Sequence, residues 1–227
     1  MKQGAELTTA IVDLLTGLAL IPFIIILLRK RRGPLAEGWT RLLIALSAAH
    51  IGGFVAHAFL WTQPAYDIYW IFLYAAMFYL LACVADLAFF KAGGAEAGKT
   101  AKTVLFFIIC AAFAVTAVMN FFIEKDILIF LAAAALVGLP SLAVIGWAGA
   151  KAHDRGGVLV LVSLIPLLIG LPFMFLQTGE VMRPFGVPFD HNGVCHLCLL
   201  VTLVIVGFAA LSDAAAEEKA VALCAEK

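Results

Sequence analysis

The sequence predicts an all-α integral membrane protein, a seven-transmembrane-helix bundle. Hydrophobic residues make up 64% of the 227-residue chain and charged residues only 13%, and the apolar residues fall into seven long runs. A soluble domain is about 45–50% apolar and about 25% charged, and a small globule still needs a polar surface. A water-soluble fold is therefore excluded. The formal net charge is zero, whereas nucleic-acid binders carry an excess of basic residues, so no nucleic-acid partner is expected.

Each run is long enough to cross the hydrocarbon core, which takes about 20 apolar residues in a helix. The runs are continuously apolar, whereas the strands of a membrane barrel alternate with period two. They cover residues 8–28, 42–62, 67–90, 103–123, 127–149, 157–177 and 189–211. We expect residues 1–227 to form a single domain, because no stretch resembles a soluble domain.

Charged or turn-forming residues separate the runs. These breaks are residues 29–34, 63–64, 91–102, 124–126, 151–157 and 177–188, of which 124–126 are expected to form a tight turn. Gly138 and Pro140 are expected to interrupt the fifth helix, because proline removes a backbone hydrogen bond. Pro166 and Pro172 are expected to interrupt the sixth. The Ala/Glu/Lys-rich tail after Ser212 is predicted to extend the seventh helix.

The distribution of lysine and arginine predicts the orientation. Twelve of the 15 lie on one side of the predicted bundle, and only Lys2, Lys125 and Arg183 lie on the other. The positive-inside rule then places the N-terminus outside and the C-terminus in the cytoplasm. Several aromatic residues near the predicted span ends are typical of the membrane interface. They are Trp39, Trp61, Tyr66, Tyr69 and Trp70.

Ionisable side chains inside the spans are the strongest functional signal. Each costs at least about 2.5–3.5 kcal/mol on insertion, so it needs a reason to be there. At 1.5 Å per residue, Asp13 and His57 lie roughly 8 Å below the expected outer helix ends, and His196 lies about 11 Å below. Asp67, Asp190 and His191 lie closer to the outer surface, and His50 lies nearer the midplane. Four helices thus contribute acid or imidazole groups to one outer layer.

Two local sequences carry this pattern. In the second helix, Gly52 and Gly53 separate His50 from His57 and would let a neighbouring helix approach closely. In the seventh, His191 and His196 are five residues apart and differ by about 140° around an ideal helix. Both can bind one metal ion only if His191 lies at the helix cap or the first turn is irregular.

Imidazoles together with a carboxylate make a plausible open zinc site. We expect the ligands to be His57, His191 and His196. Asp13 or Asp67 would orient or deprotonate a bound water. The side chains expected to hydrogen-bond and orient the metal ligands are His50, Asp190 and Asn192.

These residues resemble the CREST superfamily of seven-helix membrane proteins, which includes the alkaline ceramidases and the adiponectin-receptor proteins. The resemblance implies that three histidines bind zinc and that an aspartate supports the bound water in hydrolysis of a lipid amide or ester. His57 matches the ligand of the second helix, Asp67 the acid of the third, and His191 with His196 the pair of the seventh.

The sequence also departs from that pattern. Gly53 stands where the family has serine, and Asn192 occupies the place of the first histidine of an H-x-x-x-H pair. A closer similarity is to bacterial seven-helix proteins with a Gly-Gly-x-x-x-His second helix and a His-Asn-x-x-x-His seventh helix. That similarity carries no activity, but it implies a bacterial inner membrane.

Two other functions compete with a zinc-dependent hydrolase of membrane lipids. Histidines on the second and seventh helices could ligate haem b in an electron-transfer protein. A transporter or receptor could use broken helices to expose backbone to its substrate, although no inverted repeat is visible. Whether the protein is an enzyme, and on which lipid it acts, does not follow from the residues alone.

Overall fold

A computed structural model describes residues 4–29, 33–59, 62–93, 98–122, 128–176 and 180–225. Within these ranges, seven helices are long and apolar enough to cross a membrane. The predicted seven-helix fold is therefore confirmed, and the chain is an integral membrane protein. The expected turn at 124–126 and the side chain of Trp61 lie outside the described residues.

The helices follow the predicted runs in order. The first four spans are α1 (Ala5–Arg29), α2 (Pro34–Ala58), α3 (Gln63–Gly93) and α4 (Lys99–Phe122). The fifth span consists of α5 (Leu128–Ala133), a π-helical turn (Ala134–Gly138) and α6 (Leu139–Lys151). The last two are α7 (Arg155–Leu176) and α8 (His191–Ala225), separated by a short hairpin of β1 (Glu180–Met182) and β2 (Phe189–Asp190).

Six of the spans form a ring. α1 packs between α2 and α8, α3 joins α2 to α6, and α7 joins α6 to α8. α4 packs against α3 and α5 at the periphery. We call the end of the bundle where α1 begins the upper end, and the opposite end the lower end. Successive spans are antiparallel, so α2 ends, and α3 and α8 begin, at the upper end.

The second helix begins eight residues earlier than predicted and also ends earlier, at Ala58. Proline at its first turn fits an α-helix start, because the missing N–H has no intrahelical partner there. The carboxylate of Glu217 accepts hydrogen bonds from the N–H groups of Leu35 and Ala36, at 3.1 and 3.0 Å. Glu217 lies in the tail of α8, which is helical to Ala225, as predicted.

The prolines of the fifth and sixth spans behave differently. Before Pro140 the chain forms the π-helical turn, so the predicted interruption of the fifth helix is confirmed. The interruption predicted for the sixth is wrong, because α7 runs helical through Pro166 and Pro172. Membrane helices tolerate such prolines when neighbouring helices and local adjustments satisfy the freed carbonyls.

Candidate functional site

One stripe of α1 holds the neighbouring helices together at the upper end. Its residues Thr9, Asp13 and Gly17 are four apart and so share a face. The hydroxyl of Thr9 donates to Asp190 at 3.1 Å, just before α8 begins. At Gly17 the backbone carbonyl accepts a 2.8 Å hydrogen bond from Ser47 of α2. Asp13 lies between these two contacts, where α1, α2 and α8 meet.

The carboxylate of Asp13 contacts two histidines from different helices. Its Oδ1 lies 2.8 Å from Nδ1 of His50 on α2 and 2.7 Å from Nδ1 of His196 on α8. The Asp13 side chain is only 1% exposed. Among the described residues, Asp13, His50 and His196 form the one group of three whose potential ligand atoms all lie within 4.8 Å of one another. We call these three residues the Asp–His cluster.

Two polar atoms of this cluster make no hydrogen bond within the part of the chain that the structure describes. They are Oδ2 of Asp13 and Nδ1 of His196, which lies near Oδ1 of Asp13 without hydrogen-bond alignment. Oδ2 rests against Gly53, where a Cβ atom would lie only 2.6 Å away. Buried polar atoms are normally paired, so Oδ2 of Asp13, an acceptor without a donor in the described chain, favours a bound cation.

Helix length explains why His50, rather than His57, meets Asp13. Asp13 lies about 12 Å from the start of α1, and His50 lies about 12 Å from the end of α2 at Ala58. His57 lies in the last turn of α2, with its ring centroid 6.2 Å from that of His196. The expected ligand His57 therefore neighbours the cluster without belonging to it.

The start of α8 arranges the remaining predicted residues. Oδ1 of Asp190 accepts a 2.7 Å hydrogen bond from the N–H of Gly193, which makes Asp190 the cap of this helix. Asp190 thus fixes the start of α8. His191 and Asn192 follow in the first turn and line the same cavity as the cluster.

Asp67 lies near the start of α3. It accepts a 3.1 Å hydrogen bond from Gln63, one turn earlier on α3. In the described part of the chain, Asp67 is not among the residues that line the cavity. Asp13, one of the two candidates for the catalytic acid, lies within 3 Å of two histidine nitrogens.

A cavity of about 650 Å³ extends from the Asp–His cluster into the bundle. Its upper part is polar and includes four of the five histidines. The polar and aromatic residues named here line this part: Asp13, His50, His57, Tyr66, Trp70, His191, Asn192 and His196. Its lower part is apolar, lined among others by Leu42, Leu46, Leu80, Val84, Leu203 and Val206. The cavity therefore has the polarity of an amphiphile with one head and one tail.

A second polar group, at the lower end, was missed by the sequence analysis. Nζ of Lys91 lies 2.6 Å from Asp154 and 2.9 Å from Asp213, and we call these three residues the lysine cluster. The indole N–H of Trp39 donates to the other oxygen of Asp213 at 2.7 Å. Trp39 is fully buried in the bundle, so it does not belong to a lipid-facing aromatic belt. The sequence did offer a signal for this cluster: Trp39 and Asp213 are polar or ionisable residues close to long apolar runs.

The ionisation of Asp154, in the turn between α6 and α7, follows from these contacts. Burial alone would raise the pKa of its carboxyl. The neighbouring Asp213 and the hydrogen bonds that Lys91 and the N–H of Gly156 donate to Asp154 outweigh burial and lower this pKa to about 2. Asp154 is therefore ionised at neutral pH and forms a charged pair with Lys91.

Comparison with known proteins gives a family but no activity. The model of a family described as "Family of unknown function (DUF6962)" matches residues 8–214, which include both the Asp–His cluster and the lysine cluster. Comparison with curated proteins and with solved structures finds no match.

Proposed function

Because the chain belongs to DUF6962, a family of unknown function, its activity has to be argued from the site. We propose that it is a zinc-dependent hydrolase that cleaves an ester or amide bond of a lipid within the membrane. One observation carries the proposal: three potential metal ligands converge at the polar end of a cavity whose other end is apolar.

The chemistry of the cluster suits a catalytic zinc ion. Zinc binds imidazole nitrogen and carboxylate oxygen, and catalytic sites use three protein ligands with one position left open. Asp13, His50 and His196 supply such a set, and Oδ2 of Asp13 and Nδ1 of His196 are the atoms left without a hydrogen bond in the described chain. When bound, zinc supplies a Lewis acid and lowers the pKa of a coordinated water.

The neighbouring side chains supply the remaining functions. His57 lines the cavity one ring away from His196, where an imidazole can carry a proton to or from the reacting group. His191 and Asn192 line the same end of the cavity and can hydrogen-bond the polar part of a substrate. The apolar lower part then holds an acyl chain away from water.

The volume of the cavity supports a ligand of this kind. At about 650 Å³ it lies within the 300–1,000 Å³ range of ligand sites in proteins. A hydrocarbon chain also matches the leucine and valine side chains of its lower part. A lipid would reach the cavity from the surrounding bilayer, so the membrane is both the location of the protein and the source of its substrate.

Haem b is less well supported by this geometry. Nδ1 of His50 and Nδ1 of His196 both lie within 3 Å of the same oxygen of Asp13. A porphyrin bound between the two imidazoles would have to displace that carboxylate. The haem alternative nevertheless predicts a different metal, so one analysis separates it from the hydrolase.

The test is elemental analysis of the detergent-purified protein, prepared without chelators, for zinc and iron per chain. We expect about one zinc in the wild type and its loss in His50→Ala and in His196→Ala. His153→Ala is the matched control, because His153 lies exposed in the turn between α6 and α7. Hydrolysis of long-chain ester and amide probes should follow the zinc content.

Other outcomes would contradict the proposal. Stoichiometric iron would favour haem and electron transfer. The absence of both metals would favour a transporter or receptor in which the histidines relay protons. Zinc that remains in both variants would show that the ligands are other residues.

We also propose that the upper end faces the periplasm of a bacterium, with the protein in the inner membrane. The bias of twelve basic residues against three supports this orientation. It places the Asp–His cluster in the outer half of the bilayer and the lysine cluster at the cytoplasmic end.

A further inference from the structure

A second pocket lies at the lower end of the bundle and shares no lining residue with the cavity of the Asp–His cluster. Its volume is about 210 Å³, and residues of α2, α3 and α4 line it. α3 packs against both of the other helices. Three lining residues are charged, namely Arg41, Asp86 and Lys102, and the other four are proline, glycine, leucine and phenylalanine. We call this the lower pocket, in which charged groups lie directly beside apolar surface.

The charges of the lower pocket do not balance. Asp86 lies 3.4 Å from Arg41 and 3.0 Å from Lys102, so one carboxylate faces two cations. A guanidinium has five N–H donors and an ammonium three, more than one carboxylate can accept in this geometry. The Arg41 side chain is 48% exposed, and its contact is longer than the roughly 2.7–2.9 Å of a charge-assisted hydrogen bond. The lining residues therefore carry one net positive charge, which favours an anion as ligand.

The depth of these charges matches the edge of the hydrocarbon core. At 1.5 Å per residue, Lys102 lies about 5 Å from the start of α4, and Arg41 about 11 Å from the start of α2. Asp86 lies about 11 Å before the end of α3. The 31 residues of α3 span about 46 Å, close to the roughly 40–45 Å of a bilayer with its headgroups, of which about 30 Å is hydrocarbon. The lower pocket thus lies where lipid headgroups meet acyl chains.

Exposed apolar side chains continue from the lower pocket toward the centre of the membrane. Ile44 and Phe106 lie one helical turn beyond the basic residues of α2 and α4, on the same helix faces. Tyr79 lies two turns before the acid of α3, again on the same face. All three side chains are exposed. A charged pocket at the membrane boundary that leads to exposed apolar side chains has the polarity of one phospholipid molecule.

We propose that the lower pocket binds the headgroup of an anionic phospholipid. Arg41 and Lys102 contact its phosphate, and its acyl chains lie along the exposed apolar side chains. Basic pockets between membrane helices bind anionic headgroups in this way. The net charge of the pocket matches the single negative charge of phosphatidylglycerol, whereas phosphatidylcholine adds a cation that the basic residues repel. Asp86 holds the two basic side chains at the pocket and limits the affinity, because its carboxylate repels a phosphate.

The test measures lipid binding to the detergent-purified protein by native mass spectrometry. The protein is titrated with phosphatidylglycerol or with phosphatidylcholine of equal chain length. Arg41→Gln and Lys102→Gln should each weaken phosphatidylglycerol binding about fivefold, the effect of one basic residue near a membrane surface. Asp86→Asn removes the competing charge and should strengthen this binding by a similar factor. Phosphatidylcholine binding should stay the same in all three variants. The ion pairs are open to solvent, so these variants should fold.

Lys151→Gln is the matched control. Lys151 also lies at the lower end, but its Nζ lies 5.2 Å from the centroid of the Trp147 ring, and neither residue lines the lower pocket. An equal loss in Lys151→Gln would show general attraction between charges and overturn the inference. Unaltered binding in both Arg41→Gln and Lys102→Gln, or weaker binding in Asp86→Asn, would also overturn it.

A soluble competitor distinguishes a lipid from a free phosphate ester. Glycerol 3-phosphate carries the phosphate without acyl chains and should not displace phosphatidylglycerol, because it lacks contact with the exposed apolar side chains. Displacement at equal concentration would assign the lower pocket to a soluble ligand and refute the lipid. None of these measurements involves zinc or hydrolysis, so the lower pocket and the proposed hydrolase stand or fall separately.

Discussion

Replacement of Lys91 by methionine should destabilise the protein strongly. Methionine keeps the apolar stem of the side chain and removes the ammonium group that lies 2.6 Å from Asp154 and 2.9 Å from Asp213. The Lys91 side chain is 10% exposed and that of Asp213 is fully buried, so water cannot replace the lost partner. Breaking a buried ion pair by removing one partner costs about 3–5 kcal/mol. We expect a loss of that size in the free energy of unfolding.

The matched control is Lys102→Met. Lys102 also pairs with an aspartate, Asp86, at 3.0 Å, but these side chains are 23% and 44% exposed. Pairs that are open to solvent contribute about 0–1 kcal/mol. Both variants are measured by equilibrium unfolding in mixed micelles with increasing dodecyl sulfate, followed by tryptophan fluorescence. Equal losses in the two variants would refute the argument that burial, rather than charge pairing alone, sets the cost.

Two further predictions concern the site and the orientation. Gly53→Ala should displace the carboxylate of Asp13, because a Cβ atom would lie 2.6 Å from its Oδ2, and so should lower the zinc content. Gly38→Ala on the same helix meets only a leucine methyl at 3.3 Å and should keep the metal, whereas full zinc in Gly53→Ala would contradict this reasoning. The exposed thiol of Cys224 should react with a membrane-impermeant maleimide only after cells are opened, with Cys224→Ser as control. Labelling of Cys224 in intact cells would show that the C-terminus faces outside, which is the opposite orientation.

The spans could be predicted because the bilayer fixes their length, and an apolar run of that length has few alternatives. The helix ends were harder. The first two turns of α2 contain Glu37 and Arg41, which hydropathy assigns to a loop. They are helical because Glu217, 182 residues after Leu35, satisfies the free N–H groups at the helix start. No local sequence pattern predicts this cap, because the capping residue lies near the other end of the chain.

The site was predicted at the level of residue types and depth. Asp13 and His196 were placed in one layer because a charged or imidazole group inside a membrane needs a partner. The pairing itself depends on helix packing, which lets α1 approach α2 at Gly17 and Gly53. That contact brings Asp13 to His50 and leaves His57 one ring away. Depth along a helix follows from sequence only when the helix end is placed correctly. α2 ends at Ala58 rather than at residue 62, so His57 lies in its last turn instead of about 8 Å below the end.

The two polar clusters differ in how completely their hydrogen bonds are made, and this difference separates scaffold from site. In the lysine cluster both oxygens of Asp213 are used, by Lys91 and Trp39, and both oxygens of Asp154 are used, by Lys91 and the N–H of Gly156. In such a network the polar groups bind one another and hold the helices together, so none of these oxygens is left for a ligand. In the Asp–His cluster, whose residues line the cavity, Oδ2 of Asp13 and Nδ1 of His196 make no hydrogen bond in the described chain. Sequences keep such local inconsistencies mainly where a ligand resolves them, so the upper end is where function should be sought.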